Sequence, residues 1–99
     1  MEPFERFKIA NTEGNLWVYI LSLAKEQVIY DHESRRLVFE KFGFLPNDLM
    51  LQTVLYRLRR QGYISSERYK GRKAFKTTGK GMEELEKMRR FNQELLQKL

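Results

Sequence analysis

The chain contains no cysteine and a single histidine, so it offers no disulfide, no thiolate nucleophile and no cysteine-based metal site. The lack of thiols fits a reducing compartment, and a cytoplasmic location is expected. Long apolar runs are missing too. No segment approaches the roughly 18 residues that a membrane span requires, and the opening MEPFERFK lacks the apolar stretch of a secretory leader. With two prolines and six glycines there is no linker-like tract, repeat or low-complexity segment, so one domain over residues 1–99 is expected. A chain of this size buries only about two thirds of its unfolded surface, and self-association would add to a modest core.

Acidic residues are scarce in one place only. Residues 57–82 hold nine basic side chains (Arg57, Arg59, Arg60, Arg68, Lys70, Arg72, Lys73, Lys76, Lys80) against one acid, Glu67. Residues 1–56 hold six basic and eight acidic groups, and residues 83–99 hold four of each, so the net charge of +6 originates in one block with an excess of +8. A run of cations can be no more than a solvated face. This one falls on a predicted helix and hairpin able to enter a groove, which favours attraction to phosphates with release of counterions.

The apolar pattern supplies the elements around that block. Phe4, Phe7 and Ile9 sit among charges in an N-terminal arm, residues 1–14, that anchors on something apolar. A first helix is expected from Asn15, its N-cap, to Lys25. Leu16, Ile20 and Leu23 share one side of it while Trp17, Val18 and Leu21 spread round the others, so it must be covered twice. Val28-Ile29-Tyr30 suits a short strand. Asp31 is expected to cap a second helix carrying Leu37, Val38 and Phe42, with Arg35, Arg36 and Lys41 outward and Gly43 in the left-handed position after its end. Beyond the turn Phe44-Leu45-Pro46, Asn47 or Asp48 caps a third helix that runs to Gln61 and stops at Gly62.

On this third helix Leu51, Val54, Leu55 and Leu58 form a core stripe about 100° wide. The opposite arc carries Thr53, Tyr56, Arg57 and Arg60, flanked by Gln52 and Arg59. A polar face opposite a leucine stripe is ordinary, but arginines, an amide, a hydroxyl and a tyrosine with no acid after Asp48 suit phosphates and base edges. Tyr63 to Tyr69 and Lys73 to Thr77 read as two strands joined by Lys70-Gly71-Arg72, with Ile64 and Phe75 turned to the core. Thr78 caps a final helix, residues 79–99. There Met82, Leu85, Met88, Phe91, Leu95, Leu96 and Leu99 cover half the circumference, more apolar surface than a small domain leaves wet.

Helix, glycine, strand, basic turn, strand and Thr-x-x-Gly, in this order, predict an α+β, mostly helical fold: a winged helix-turn-helix with a three-helix core, a β-hairpin wing and a C-terminal dimerisation helix. The expected function is sequence-specific binding of double-stranded DNA by a homodimer. The recognition helix, about 48–61, would enter the major groove, with the wing, about 69–73, on the minor groove or backbone. Gln52, Thr53, Tyr56 and Arg57 are the candidates for the groove; Arg60, Lys70, Arg72 and Lys73 are those for phosphates or the minor groove. Trp17, Leu21, Met88, Phe91, Leu95 and Leu99 are the candidate dimer contacts. Two other uses of such a domain stay open: docking in a larger protein assembly through the last helix, and binding of structured RNA.

Four stretches also resemble the PadR-like branch of the winged helix-turn-helix regulators. They are the apolar helix Leu16 to Leu23, the segment Phe42-Gly43-Phe44, the run Leu51…Leu55-x-Arg57-Leu58…Gly62, and Arg72-x-x-Phe75-x-x-Thr78-x-x-Gly81. The resemblance spans roughly residues 15–90. It implies transcriptional regulation, dimerisation through the first and last helices, and a small-molecule effector site at the dimer interface. The chain departs from it at Tyr30-Asp31-His32-Glu33 and at Leu49-Met50-Leu51-Gln52-Thr53, so its base-reading surface is not inherited.

No catalytic constellation competes with this reading, and neither a cofactor nor a metal is expected. His32 stands alone and suits the surface or a helix cap. Glu83, Glu84 and Glu86 lie where acids complement a helix dipole. Gly79-Lys80-Gly81 lacks the upstream glycine and the following hydroxyl of a phosphate loop. Trp17 could stack on a flat ligand, though a tryptophan on an apolar helix is more often core or interface.

Overall fold

The structure is a computed structural model that describes residues 1–99. Its helices are α1 (Pro3–Ala10), α2 (Leu16–Leu23), α3 (Ser34–Phe42), α4 (Asp48–Arg60) and α5 (Gly79–Lys98), and its strands are β1 (Ile29–Tyr30), β2 (Glu67–Tyr69) and β3 (Arg72–Phe75). The strands form an antiparallel sheet in the order β1-β3-β2, with Ile29 opposite Phe75 and Tyr69 opposite Arg72.

The core lies where α2 meets α3, α4 and the start of α5. Leu16, Ile20, Leu21, Val38, Leu51, Leu55, Ile64 and Phe75 are buried together there. Burying a side chain such as Phe75 is worth about 2–3 kcal/mol. Tyr19 packs edge-on against Phe42 and Phe44, both 4.9 Å away between ring centres, which clamps α2 to the turn after α3. Gly43 takes φ +85° and ends α3 in the left-handed conformation, as its place in the sequence predicts. Arg35 Nε donates to the Pro46 carbonyl at 2.8 Å, and Asn47 Oδ1 accepts from the Met50 amide at 3.1 Å. The turn is thereby tied at both ends, and α4 leaves it at a fixed angle.

A second junction holds the sheet against the helices. Thr77 Oγ1 donates to the Leu21 carbonyl at 2.7 Å, and the Thr77 amide donates to Ala24 O at 3.0 Å. Thr78 Oγ1 accepts from the Gly81 amide at 3.2 Å and donates to Gly62 O at 2.7 Å, so one hydroxyl caps α5 and fixes the end of α4. Gly81 is required here because a Cβ would stand 2.3 Å from Tyr63 O and 2.8 Å from Thr77 Cγ2.

Several expectations are corrected. The N-terminal arm contains a helix, α1, opened by Pro3 at its first turn and closed by Asn11 Nδ2 and Thr12 Oγ1, which donate to the carbonyls of Phe7 and Lys8. None of its residues is buried. Asn15 does not cap α2 through its side chain; its Nδ2 donates to Ala10 O at 2.8 Å instead. Asp31 opens a single 3₁₀ turn rather than capping α3, which begins at Ser34, and its carboxylate is engaged by Arg59. The hairpin strands are shorter than expected, with Ile64 and Thr77 linked by an isolated bridge below them.

Candidate nucleic-acid interface

The polar face of α4 and the hairpin tip are the two candidate surfaces. Leu51, Leu55 and Leu58 turn α4 inward, which leaves Gln52, Thr53, Tyr56, Arg57 and Arg60 exposed. Beside them, β2 and β3 are joined by Lys70 and Gly71 at φ +52° and +77°, a two-residue turn with both residues left-handed. That geometry matches the twist of the strands and makes a tight tip. Lys70, Arg72 and Lys73 are all exposed on it. Arg68 Nη1 donates to Gly71 O at 2.9 Å across the base of the turn.

The electrostatics separate one cation from the rest. Arg59 Nη2 lies 2.9 Å from Asp31 Oδ1 and 3.4 Å from the Ala74 carbonyl, with both charged side chains largely covered. It ties α4 to the sheet and is unavailable to a phosphate. Its Nε is buried without a partner, which subtracts from what the pair contributes. The other basic residues of 57–82 are exposed and have no carboxylate within 4.0 Å: Arg57, Arg60, Arg68, Lys70, Arg72, Lys73, Lys76 and Lys80. Outside the block, Arg36 pairs with Glu40 at 2.8 Å, which with Glu33 raises its pKa, and Lys87 pairs with Glu84 at 3.1 Å, which raises that of Lys87. Arg6, Lys8, Lys25, Arg35, Lys41, Arg89 and Lys98 have no acidic partner either, so what sets residues 57–82 apart is the density of exposed cations with Glu67 as the one acid among them.

Neighbours adjust individual groups. Arg60 Nη1 is 3.4 Å from Tyr56 Oη, and Arg72 Nη1 is 3.3 Å from His32 Nε2, which accepts in the tautomer that carries its proton on Nδ1. His32 is exposed and caps no helix. Thr53 Oγ1 donates to Leu49 O at 2.9 Å, so its hydroxyl proton is already used within the helix. Arg57 occupies the flank of α4 nearer α2, where with Trp17, Met50 and Val54 it lines a cavity of about 560 Å³. Lys80 Nζ donates to Gln61 O at 2.7 Å, so it faces the end of α4.

No protein-family model and no curated protein matches the chain. Solved structures do. The chain is similar to a PadR-like transcription factor from Bacteroides fragilis, at 23% identity, a TM-score of 0.77 and 94% of each chain covered. It is also similar to a winged-helix DNA-binding protein from STIV, at 18% identity, a TM-score of 0.69 and 85% of this chain against 92% of that one. The fold is a winged helix-turn-helix. Bacillus subtilis PadR, solved in complex with operator DNA, shares the arrangement at 19% identity and a TM-score of 0.67, over 78% of this chain and 48% of that one. In winged-helix terms α3 and α4 are the helix-turn-helix, α4 occupies the position of the recognition helix and the β2–β3 hairpin that of the wing.

The candidate dimer contacts divide. Trp17 and Met88 are half-buried, while Phe91, Leu95 and Leu99 are 66%, 42% and 91% exposed. With Phe7 and Val18 they line an apolar groove of about 930 Å³ between the N-terminal helices and the outer half of α5. Leu21 is not among them. It is fully buried in the protomer core, with Cδ2 3.3 Å from the Cβ position of Gly81, because the start of α5 covers that side of α2.

Proposed function

We propose that the protein is a PadR-like transcriptional regulator that binds double-stranded DNA as a homodimer. The observation that carries this reading is the set of exposed, unpaired cations on one recognition helix and its wing, in a chain whose other ionic groups include several matched pairs. Keeping like charges together costs stability, and phosphates relieve that cost on binding. The operator complex of a structure with the same fold supports the same use of α4. Gln52, Thr53, Tyr56 and Arg57 would meet base edges, and Arg60, Lys70, Arg72 and Lys73 would meet phosphates or the minor groove. The apolar groove along α5 supports pairing through α1, α2 and α5 of two copies, which would set two recognition helices about 34 Å, one DNA turn, apart or a multiple of it. A small-molecule effector would then be sensed between subunits. Such a regulator works on DNA in the cytoplasm.

In vitro selection of duplexes by the purified chain, followed by mobility shifts at stated salt and a sedimentation measurement of mass, tests the reading. Enrichment of a palindromic site by a dimer is expected. A monomer that shifts no duplex would refute it and favour docking on another protein through α5. Double-stranded RNA competing as well as the selected DNA would favour an RNA partner.

A further inference from the structure

Leu49 stands on the first turn of α4 and is 77% exposed. The core stripe of the same helix, Leu51, Leu55 and Leu58, points the opposite way and is buried. At 3.6 residues per turn, Leu49, Thr53, Tyr56 and Arg60 fall within about 60° of arc, so the leucine lies in the middle of the polar face and not at its edge. Thr53, one turn on, uses its hydroxyl proton on the Leu49 carbonyl. What that pair can present outward is apolar carbon and one acceptor oxygen. Met50 is also partly exposed, but it lines the cavity beside Trp17 on the flank of the helix.

We infer that Leu49, with the methyl group of Thr53 beside it, reads the 5-methyl group of a thymine in the major groove. The inference rests on the DNA-binding function proposed above and gives it a base preference. Residues at the N-terminal end of a recognition helix are those that reach base edges. Among the four bases, only thymine carries a methyl group on its major-groove edge. Leucine has neither donor nor acceptor, so that methyl is the one feature it can recognise by contact. Thymine is therefore selected at one position in each half-site by contact with its methyl group.

The test uses the full chain and its selected duplex at fixed salt, with single thymines replaced by 2′-deoxyuridine, which removes the methyl and keeps the pairing. Affinity is read by fluorescence anisotropy. Burial of one methyl-sized group corresponds to about a fourfold change, so uracil at one position should weaken binding about fourfold, and about fifteenfold when both half-sites are changed. Leu49→Ala, at an exposed position, should still bind but no longer distinguish thymine from uracil. The inference is overturned if no thymine shows the penalty, or if the penalty survives in Leu49→Ala. Loss of the penalty only in Thr53→Ser also overturns it, by assigning the contact to Thr53. Failure to select any duplex would appear before any base is altered, and would sink the DNA-binding reading together with this one.

Discussion

Replacing Arg72 and Arg59 by alanine removes the same charge from two residues that the structure treats differently. Arg72 is exposed on the wing, 3.3 Å from His32 Nε2 and without a carboxylate partner, whereas Arg59 is held 2.9 Å from Asp31. If Arg60, Lys70, Arg72 and Lys73 each meet one phosphate, a dimer neutralises about eight. The slope of log affinity against log salt is then about −7, a loss of roughly four decades between 50 and 200 mM. Arg72→Ala removes two of those contacts per dimer, and the slope should relax to about −5. Arg59→Ala should leave the slope near −7, because that arginine is outside the proposed set of phosphate contacts. Its cost should appear in folding, at about 1–3 kcal/mol, since removal strands a largely covered Asp31 carboxylate. Anisotropy titrations at four or more salt concentrations, with urea unfolding on the same preparations, give both quantities. Equal flattening by the two substitutions would mean that net charge, not placement, governs binding, and the assignment of these arginines would be wrong.

Three further outcomes follow from the packing. Gly81→Ala should destabilise the protein by about 2 kcal/mol or more despite alanine's better helix propensity, because the new Cβ meets the Tyr63 carbonyl at 2.3 Å. Gly79→Ala meets nothing within 4 Å and should be neutral or slightly stabilising, so equal urea midpoints for the two variants would contradict the geometry. Asn47→Ala removes the cap of α4 and should cost about 1 kcal/mol, visible as a lowered melting temperature. Phe91→Glu together with Leu95→Glu, both at exposed positions, should leave the chain folded but convert the proposed dimer into a monomer by sedimentation, with a matching loss of the proposed DNA affinity.

Local chemistry made much of the fold legible beforehand. Gly43, Asn47 and Thr78 act over two or three residues of backbone, so their roles at the ends of α3, α4 and α5 followed from residue type and position. The stripe of Leu51, Leu55 and Leu58 announced the buried side of α4 by spacing alone. The helix at Pro3–Ala10 was missed because its apolar residues form no continuous stripe, although Pro3 and the Asn11-Thr12 pair marked its two ends. The outward place of Leu49 is legible as well, since its number alone sets it opposite the leucine stripe.

Sequence by itself determined where charge and apolar surface would concentrate: a basic block at residues 57–82, a leucine-lined α4 and an apolar α5. These depend on composition and period, which need no knowledge of the neighbours in space. Only the tertiary structure decided which members of each set are free. Asp31 and Arg59 lie 28 residues apart, and their contact exists because β1 and β3 bring one to the flank of α4 that carries the other. Leu21 was removed from the expected interface in the same way, when the start of α5 closed over it. A helical wheel assigns each residue a direction, but whether that direction ends in water, an acid or another helix is settled by the packing of distant segments.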